Sequence, residues 1–239
     1  MQLRNSVVLV TGANRGIGAA FVAQLKQRGA AKIYAAARDA STIGVDGVEP
    51  IELDVTQSDQ VQAAADVAGD VQVLINNAGI STGTSLISGD LTSIEREMRT
   101  NFYGPLLTTR AFAPILAANG GGAILNVISA LSWFTVSGVG AYSASKAAAW
   151  SLTDATRLEL MAQRTHVVAV HMGLVDTAMS KGFDGPKIAP SVLADAGLDA
   201  IEAGRTEVLA DDWTTLVKDG LVLEPSERYE RIFAALSAN

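Results

Sequence analysis

Tyr142 and Lys146 stand four residues apart in the run Tyr142-Ser143-Ala144-Ser145-Lys146. On a helix that spacing is about one turn, which puts both side chains on one face, roughly 6 Å apart along the axis. A phenol exchanges protons poorly at neutral pH, because its ordinary pKa is about 10. An ammonium one turn away favours the phenolate and draws that pKa toward the working range of a general acid or base. Such pairs also arise by chance on solvated helices. This one gains weight from Ser129, a hydroxyl thirteen residues upstream at the end of an apolar run.

A second cluster, Thr11-Gly12-Ala13-Asn14-Arg15-Gly16-Ile17-Gly18, follows the run Val7-Val8-Leu9-Val10, which reads as a buried strand. Ala19 to Arg28 has helical composition, and Gly29 is a stop signal. Strand, glycine-rich turn and helix N-terminus together form an anion site, with N–H groups and the helix dipole facing the pyrophosphate of a dinucleotide. The bland alternative is a structural tight turn. The strand–turn–helix context favours the dinucleotide.

The elements around these residues alternate. Strands are expected at Ser6 to Thr11, Lys32 to Ala37, Val48 to Glu52, Val71 to Asn76, Gly122 to Ile128, Thr165 to Met172 and Thr206 to Ala210. Helices are expected to begin near Ile17, Gln57, Ile94, Gly140, Pro190 and Asp211. This alternation predicts an α/β fold: one Rossmann-type, doubly wound parallel sheet with helices on both faces, spanning residues 1–239 as a single domain. The stretch from Thr177 to Ala189, with Gly182, Gly185 and Pro186, has no regular period and reads as a substrate loop.

Together these residues resemble the classical branch of the short-chain dehydrogenase/reductase family. Thr11-Gly12-x-x-x-Gly16-x-Gly18 matches that family's cofactor loop, Asp54-Val55 its adenine-contacting motif, and Asn76-Asn77-Ala78-Gly79 its motif after the fourth strand. Asn101, Ser129, Tyr142 and Lys146 match its catalytic four. The resemblance implies hydride transfer between a nicotinamide cofactor and a carbonyl/alcohol pair. Tyr142 would be the general acid or base, Ser129 would hydrogen-bond the reacting oxygen, and Lys146 would lower the Tyr142 pKa and hold the nicotinamide ribose. Asn101 would anchor a water leading to solvent. Val175 and Thr177, just past Gly173, match positions that hold the nicotinamide carboxamide. The family's usual Pro-Gly after the sixth strand is Met172-Gly173 here, which loosens a turn beside the nicotinamide. The resemblance also implies a homodimer or homotetramer, paired through the helix of Tyr142 and Lys146, which continues as Ala147-Ala148-Ala149-Trp150.

Cofactor choice turns on the end of the second strand. An NAD enzyme of this fold places an acid there for the ribose 2′-OH. The position falls on Ala37, followed by Arg38, with Arg15 as a second cation in the glycine loop. A guanidinium can pair bidentately with a 2′-phosphate, so NADP is the expected cofactor. Asp39 complicates this reading unless it points away or holds Arg38.

The chain has 239 residues, a formal net charge of −7, 49% hydrophobic residues and no cysteine. Acidic balance without a basic cluster argues against nucleic acid, and the lack of cysteine removes disulfides and thiolate chemistry. No apolar run approaches a membrane span and no leader-like segment opens the chain, so a soluble, cytoplasmic protein is expected. His166 and His171 flank a strand without a third ligand, so no metal is expected. Trp133 and Phe134 read as an apolar pocket wall, Trp150 as a residue of helix packing or of a subunit contact, and Asp211 and Asp212 as a helix cap.

Overall fold

Along β1 (Val7–Thr11), Val8 and Val10 point to one side and Leu9 to the other, and none of the three is exposed. The same alternation runs through β2 (Lys32–Ala37), β4 (Val73–Asn76), β5 (Gly122–Val127) and β6 (Thr165–His171). A strand that is apolar on both faces must be covered on both. In this computed structural model, which describes residues 1–237, helices supply that cover.

One face packs against α1 (Gly16–Gln27) and α6 (Pro190–Ala203) through Phe21, Val22, Leu25, Leu193 and Ile201. The opposite face packs against α2 (Ser58–Val67) and α4 (Gly104–Ala118) through Ala65, Phe112 and Leu116. Burying one such side chain fully is worth roughly 1.5–3 kcal/mol, so these two layers dominate the fold's stability.

With β3 (Glu49–Glu52) and β9 (Glu207–Leu209), the strands form a seven-stranded parallel sheet in the order β3-β2-β1-β4-β5-β6-β9. The order reverses between β1 and β4. In an open parallel sheet that reversal opens a crevice at the strands' C-terminal ends, where ligands bind. The loops after β1 and β4 both enter it.

All seven expected strands are present, most one or two residues shorter than expected. Three features were not foreseen. β7 (Leu174–Val175) and β8 (Lys187–Ile188) form a small ribbon across the expected substrate loop, so that loop is partly structured. The helix expected from Ile94 begins earlier, as α3 (Leu91–Met98) capped by Asp90, and widens into a π-helical turn at Arg99–Tyr103 before α4. After α5 (Gly140–Glu159) and α7 (Asp212–Asp219), a further helix, α8 (Pro225–Ser237), closes over the molecule. Among the described residues, no helix is long and apolar enough to cross a membrane.

Candidate active site

The glycine loop links the end of β1 to the start of α1. Gly12 and Gly16 adopt φ values of +64° and +54°, a region that side chains resist. Gly18 is needed for space: a Cβ there would stand 2.0 Å from the Gly12 carbonyl oxygen. No side chain caps α1, and no acid lies in its first turn, so its N-terminal dipole is not offset locally. Arg15 lies at the N-cap position with its side chain exposed, and Ile17 packs against the core.

The loop after β4 is tied to this turn. Asn77 Nδ2 donates to the carbonyls of Thr11 (2.9 Å) and Gly12 (3.2 Å), and Thr11 Oγ1 accepts the Asn77 and Ala78 N–H groups at 3.0 Å each. Thr177 reaches the same place from the segment after β6. Its Cγ2 lies 3.3 Å from where a Gly16 Cβ would be. Val175 and Gly173 lead up to it through β7.

At the end of β2 the arrangement bears on cofactor choice. Asp39 turns into its own loop, where Oδ1 accepts the Ser41 N–H at 3.0 Å and the Ser41 hydroxyl at 2.6 Å. Asn14 Nδ2 donates to Thr42 Oγ1 at 2.9 Å and joins the two loops. Arg15 and Arg38 are exposed, and neither guanidinium has a partner among the described residues. Asp54 Oδ1 accepts from the Thr56 N–H (2.9 Å) and hydroxyl (2.7 Å) ahead of α2, while Val55 is buried against Gly104.

The four polar candidates come together at the ends of β4 and β5. Asn101 sits in the π-helical turn, only 1% exposed, and its amide is fully engaged. Its Oδ1 accepts the Ile80 N–H at 2.9 Å, and its Nδ2 donates to the Ile80 carbonyl and to Ser145 Oγ, each at 2.9 Å. Ser145 is therefore a member of the site that spacing alone did not single out. Gly79 passes between Asn101 and Lys146: a Cβ there would lie 3.2 Å from Asn101 Oδ1 and 3.6 Å from Lys146 Nζ. Ser129 opens a short 3₁₀ turn and accepts the Leu131 N–H at its Oγ at 3.1 Å, so its own O–H is left to donate.

Tyr142 and Lys146 share the first turns of α5, with Lys146 Nζ 5.6 Å from the phenol ring centre and donating to the Val127 carbonyl at 2.9 Å. The expected lowering of the phenol pKa is not what the geometry gives. Burial pushes the Tyr142 pKa well above its ordinary value, the neighbouring Ser129 hydroxyl opposes that rise, and the charge of Glu97 adds to it. Burial also lowers the Lys146 ammonium to about 8. Desolvation penalises the charged form of each group and is the largest cause of both shifts.

Glu97 was missed by sequence reasoning, although it lies one helical turn before Asn101. It is fully buried, and its Oε1 accepts both the N–H and the hydroxyl of Thr82. Thr82 Oγ1 meets Thr84 Oγ1 at 2.7 Å, and the Thr84 carbonyl accepts the Ala141 N–H at 3.1 Å, next to Tyr142.

Trp133 and Phe134 do not line a pocket. They are 6% and 7% exposed and pack with Val217 and Ile232 beneath α7 and α8. Trp150 meets Trp133 edge-on with ring centres 5.9 Å apart, which is the packing role expected of it. His171 is buried and stacks on Trp133 at 3.9 Å, and its Nδ1 lies 3.2 Å from the Ser129 carbonyl oxygen. Burial lowers its pKa to about 4, so it is neutral at physiological pH and braces the loop that carries Ser129.

Comparison with known proteins gives a consistent result. A family model described as short chain dehydrogenase matches residues 6–186. An uncharacterized oxidoreductase of Staphylococcus saprophyticus is 29% identical over 219 residues, covering 84% of this chain and 93% of its own length. A short chain dehydrogenase from Burkholderia cenocepacia, solved in complex with NADP, superposes with a TM-score of 0.93 at 38% identity, covering 97% of this chain and 99% of that one. A 3-ketoacyl-(acyl-carrier-protein) reductase from Brucella melitensis, complexed with NADH, gives 0.80 at 26% identity, covering 87% and 97%.

Proposed function

The chain belongs to the short-chain dehydrogenase family and is an oxidoreductase of it, and from that premise we propose that it is an NADP(H)-dependent enzyme interconverting a ketone or aldehyde and an alcohol. The observation that carries this reading is the meeting of Ser129, Tyr142, Lys146 and Asn101 beside the glycine loop, at the crevice where the strand order reverses.

The nicotinamide, when bound, supplies or accepts the hydride. Every other task falls to this chain's own residues. Gly12, Asn14, Gly16, Ile17, Gly18, Asn77 and Ala78 frame the pyrophosphate and ribose, while Asp54 and Val55 flank the adenine. Gly79, Gly173, Val175 and Thr177 border the nicotinamide end. Burial keeps the Tyr142 hydroxyl protonated at neutral pH, which suits it to give its proton to a carbonyl oxygen as charge develops there. The Ser129 O–H, which meets the Tyr142 phenol in this structure, donates to the same oxygen. Lys146 holds the ribose and, at about 8, can return a proton to the phenol near neutral pH.

NADP rather than NAD is supported by the guanidinium groups of Arg15 and Arg38, which have no partner among the described residues, and by the inward turn of Asp39. The B. cenocepacia structure contains NADP, which adds support. An apolar substrate is supported by exposed Leu86 and Ile87 on the loop after β4 and exposed Met179 and Phe183 on the loop after β7. We place the protein in the cytoplasm as a homo-oligomer.

The test is to incubate the protein with NADPH or NADH and a panel of aromatic, aliphatic and charged ketones and aldehydes, following absorbance at the nicotinamide band. NADPH-dependent loss with apolar carbonyls is expected. No turnover across the panel with either cofactor would overturn the proposal.

A further inference from the structure

The Met172-Gly173 turn lacks the proline that would fix its backbone, so order there has to come from contact with other parts of the chain. The contact comes from Asp211, at the N-terminus of α7 and beyond the residues matched by the family model. Asp211 Oδ2 accepts the Gly173 N–H at 2.8 Å, and Oδ1 accepts the Thr214 N–H at 2.7 Å as the helix cap. One carboxylate thus joins the turn to the helix through two charge-assisted bonds. The fit is close: a Cβ at Gly173 would lie 2.8 Å from Trp213 Cδ1 and 3.3 Å from Asp211 Oδ2. Trp213 is itself held edge-on to Phe134, with ring centres 5.8 Å apart.

We propose that Asp211 is a positioning residue that sets cofactor affinity by latching the Gly173–Thr177 segment to the N-terminus of α7. This rests on the reading above that the segment borders the nicotinamide. The segment runs from the latched Gly173 through β7, pinned to β8, to Thr177, which packs against Gly16 of the glycine loop. A shift at Gly173 therefore moves the nicotinamide end of the site relative to the pyrophosphate end. The other ties to this turn are backbone only, the Ala210 N–H donating to the His171 carbonyl at 2.9 Å and the Ala130 N–H to the Met172 carbonyl at 2.8 Å.

Asp211→Ser separates the latch from the cap: a serine hydroxyl can still accept the Thr214 N–H, but it offers no second oxygen to Gly173. NADPH affinity of the protein without substrate, read by fluorescence titration, should weaken roughly ten-fold in Asp211→Ser, the loss of one charge-assisted contact. Its melting temperature should stay near wild type, whereas Asp211→Ala should lose both affinity and thermal stability. Gly173→Ala, which keeps the cap and pushes the turn off Trp213, should show the same affinity loss as Asp211→Ser. Wild-type NADPH affinity in both Asp211→Ser and Gly173→Ala would overturn the latch and leave the proposed function standing. A wild type that binds neither NADPH nor NADH would overturn both.

Discussion

Tyr142 and Lys146 carry the sharpest expectations at the scale of single residues. Tyr142→Phe removes one transferable proton and little volume, so turnover should fall roughly 10²–10⁴-fold while NADPH affinity stays near wild type. Steady-state rates beside a cofactor titration check this, and a smaller loss would mean that another group is the acid. Lys146 should also leave a mark on stability. Its ammonium is lowered by burial from 10.5 to about 8 in the fold. Below pH 8 both folded and unfolded chains hold the proton, and the fold bears the cost of a buried charge. Between about 8 and 10.5 only the unfolded chain still binds it, so stability rises with pH across that window. Relative to Lys146→Met, wild type should gain up to roughly 3 kcal/mol over the window, measured by denaturant unfolding at several pH values. A pH-independent difference would show that Lys146 titrates normally. The pairing of Tyr142 and Lys146 was legible in the sequence, because a helix turn converts spacing into position, and Ser129 was legible as a hydroxyl ending an apolar run. The direction of the Tyr142 shift was not, since burial and Glu97 act through the fold. Asp211 was legible as a cap but not as a partner of Gly173, thirty-eight positions away.

At the scale of elements, the turn between β1 and α1 is specified by space more than by propensity. Gly18→Ala would force a methyl group to within 2.0 Å of the Gly12 oxygen and 2.7 Å of Asn77 Nδ2. The turn must open to accept it, so NADPH binding should fall by at least about ten-fold and the melting temperature by several degrees. Calorimetry and the fluorescence titration read the two effects separately, and unchanged binding would remove the pyrophosphate from this turn. The end of β2 sets the second expectation. Ala37→Asp combined with Arg38→Ala supplies a partner for a ribose 2′-OH and removes a cation worth roughly 1.5–3 kcal/mol to a 2′-phosphate. The ratio of kcat/KM for NADPH over NADH should swing toward NADH with kcat little changed. A wild type that already favours NADH would sink the NADP reading and give the ribose to Asp39. The five inner strands were readable because each is apolar on both faces, whereas the edge strands β3 and β9, with Glu49, Glu52 and Glu207, were readable from their place in the alternation. β7 and β8, two residues each, are too short to show any period. α8 carries Ser226, Glu227, Arg228, Glu230 and Arg231 near its start, so its apolar stripe of Tyr229 and Ile232 is sparse and was missed.

At the scale of the whole molecule, α5 joins the candidate chemistry to the surface. Its inner side carries Ser145, Lys146, Ala149 and Thr153, all buried. Ala149 is buried and Trp150, partly buried, packs on Trp133, so little of the aromatic member of Ala147-Ala148-Ala149-Trp150 is left for a second copy. What faces outward instead is the stripe Ala144, Ala148, Ser151, Ala155 and Leu158, with Leu158 70% exposed and Tyr103, just before α4, 49% exposed. Small side chains at steps of three and four allow two helices to approach closely, and an isolated Leu at the end of such a stripe gains most by being covered. A second copy placed α5 against α5 would cover both, and the resulting dimer would buttress the turns that hold Tyr142 and Lys146. Light scattering should then give a multiple of the 24.8 kDa protomer, and the melting temperature should rise with protein concentration. Leu158→Arg sets like charges against each other across a two-fold axis, so it should lower the mass toward a single protomer and abolish that concentration dependence. A wild type that scatters as one protomer at micromolar concentration would show that α5 faces water, and that the site is rigid without a partner.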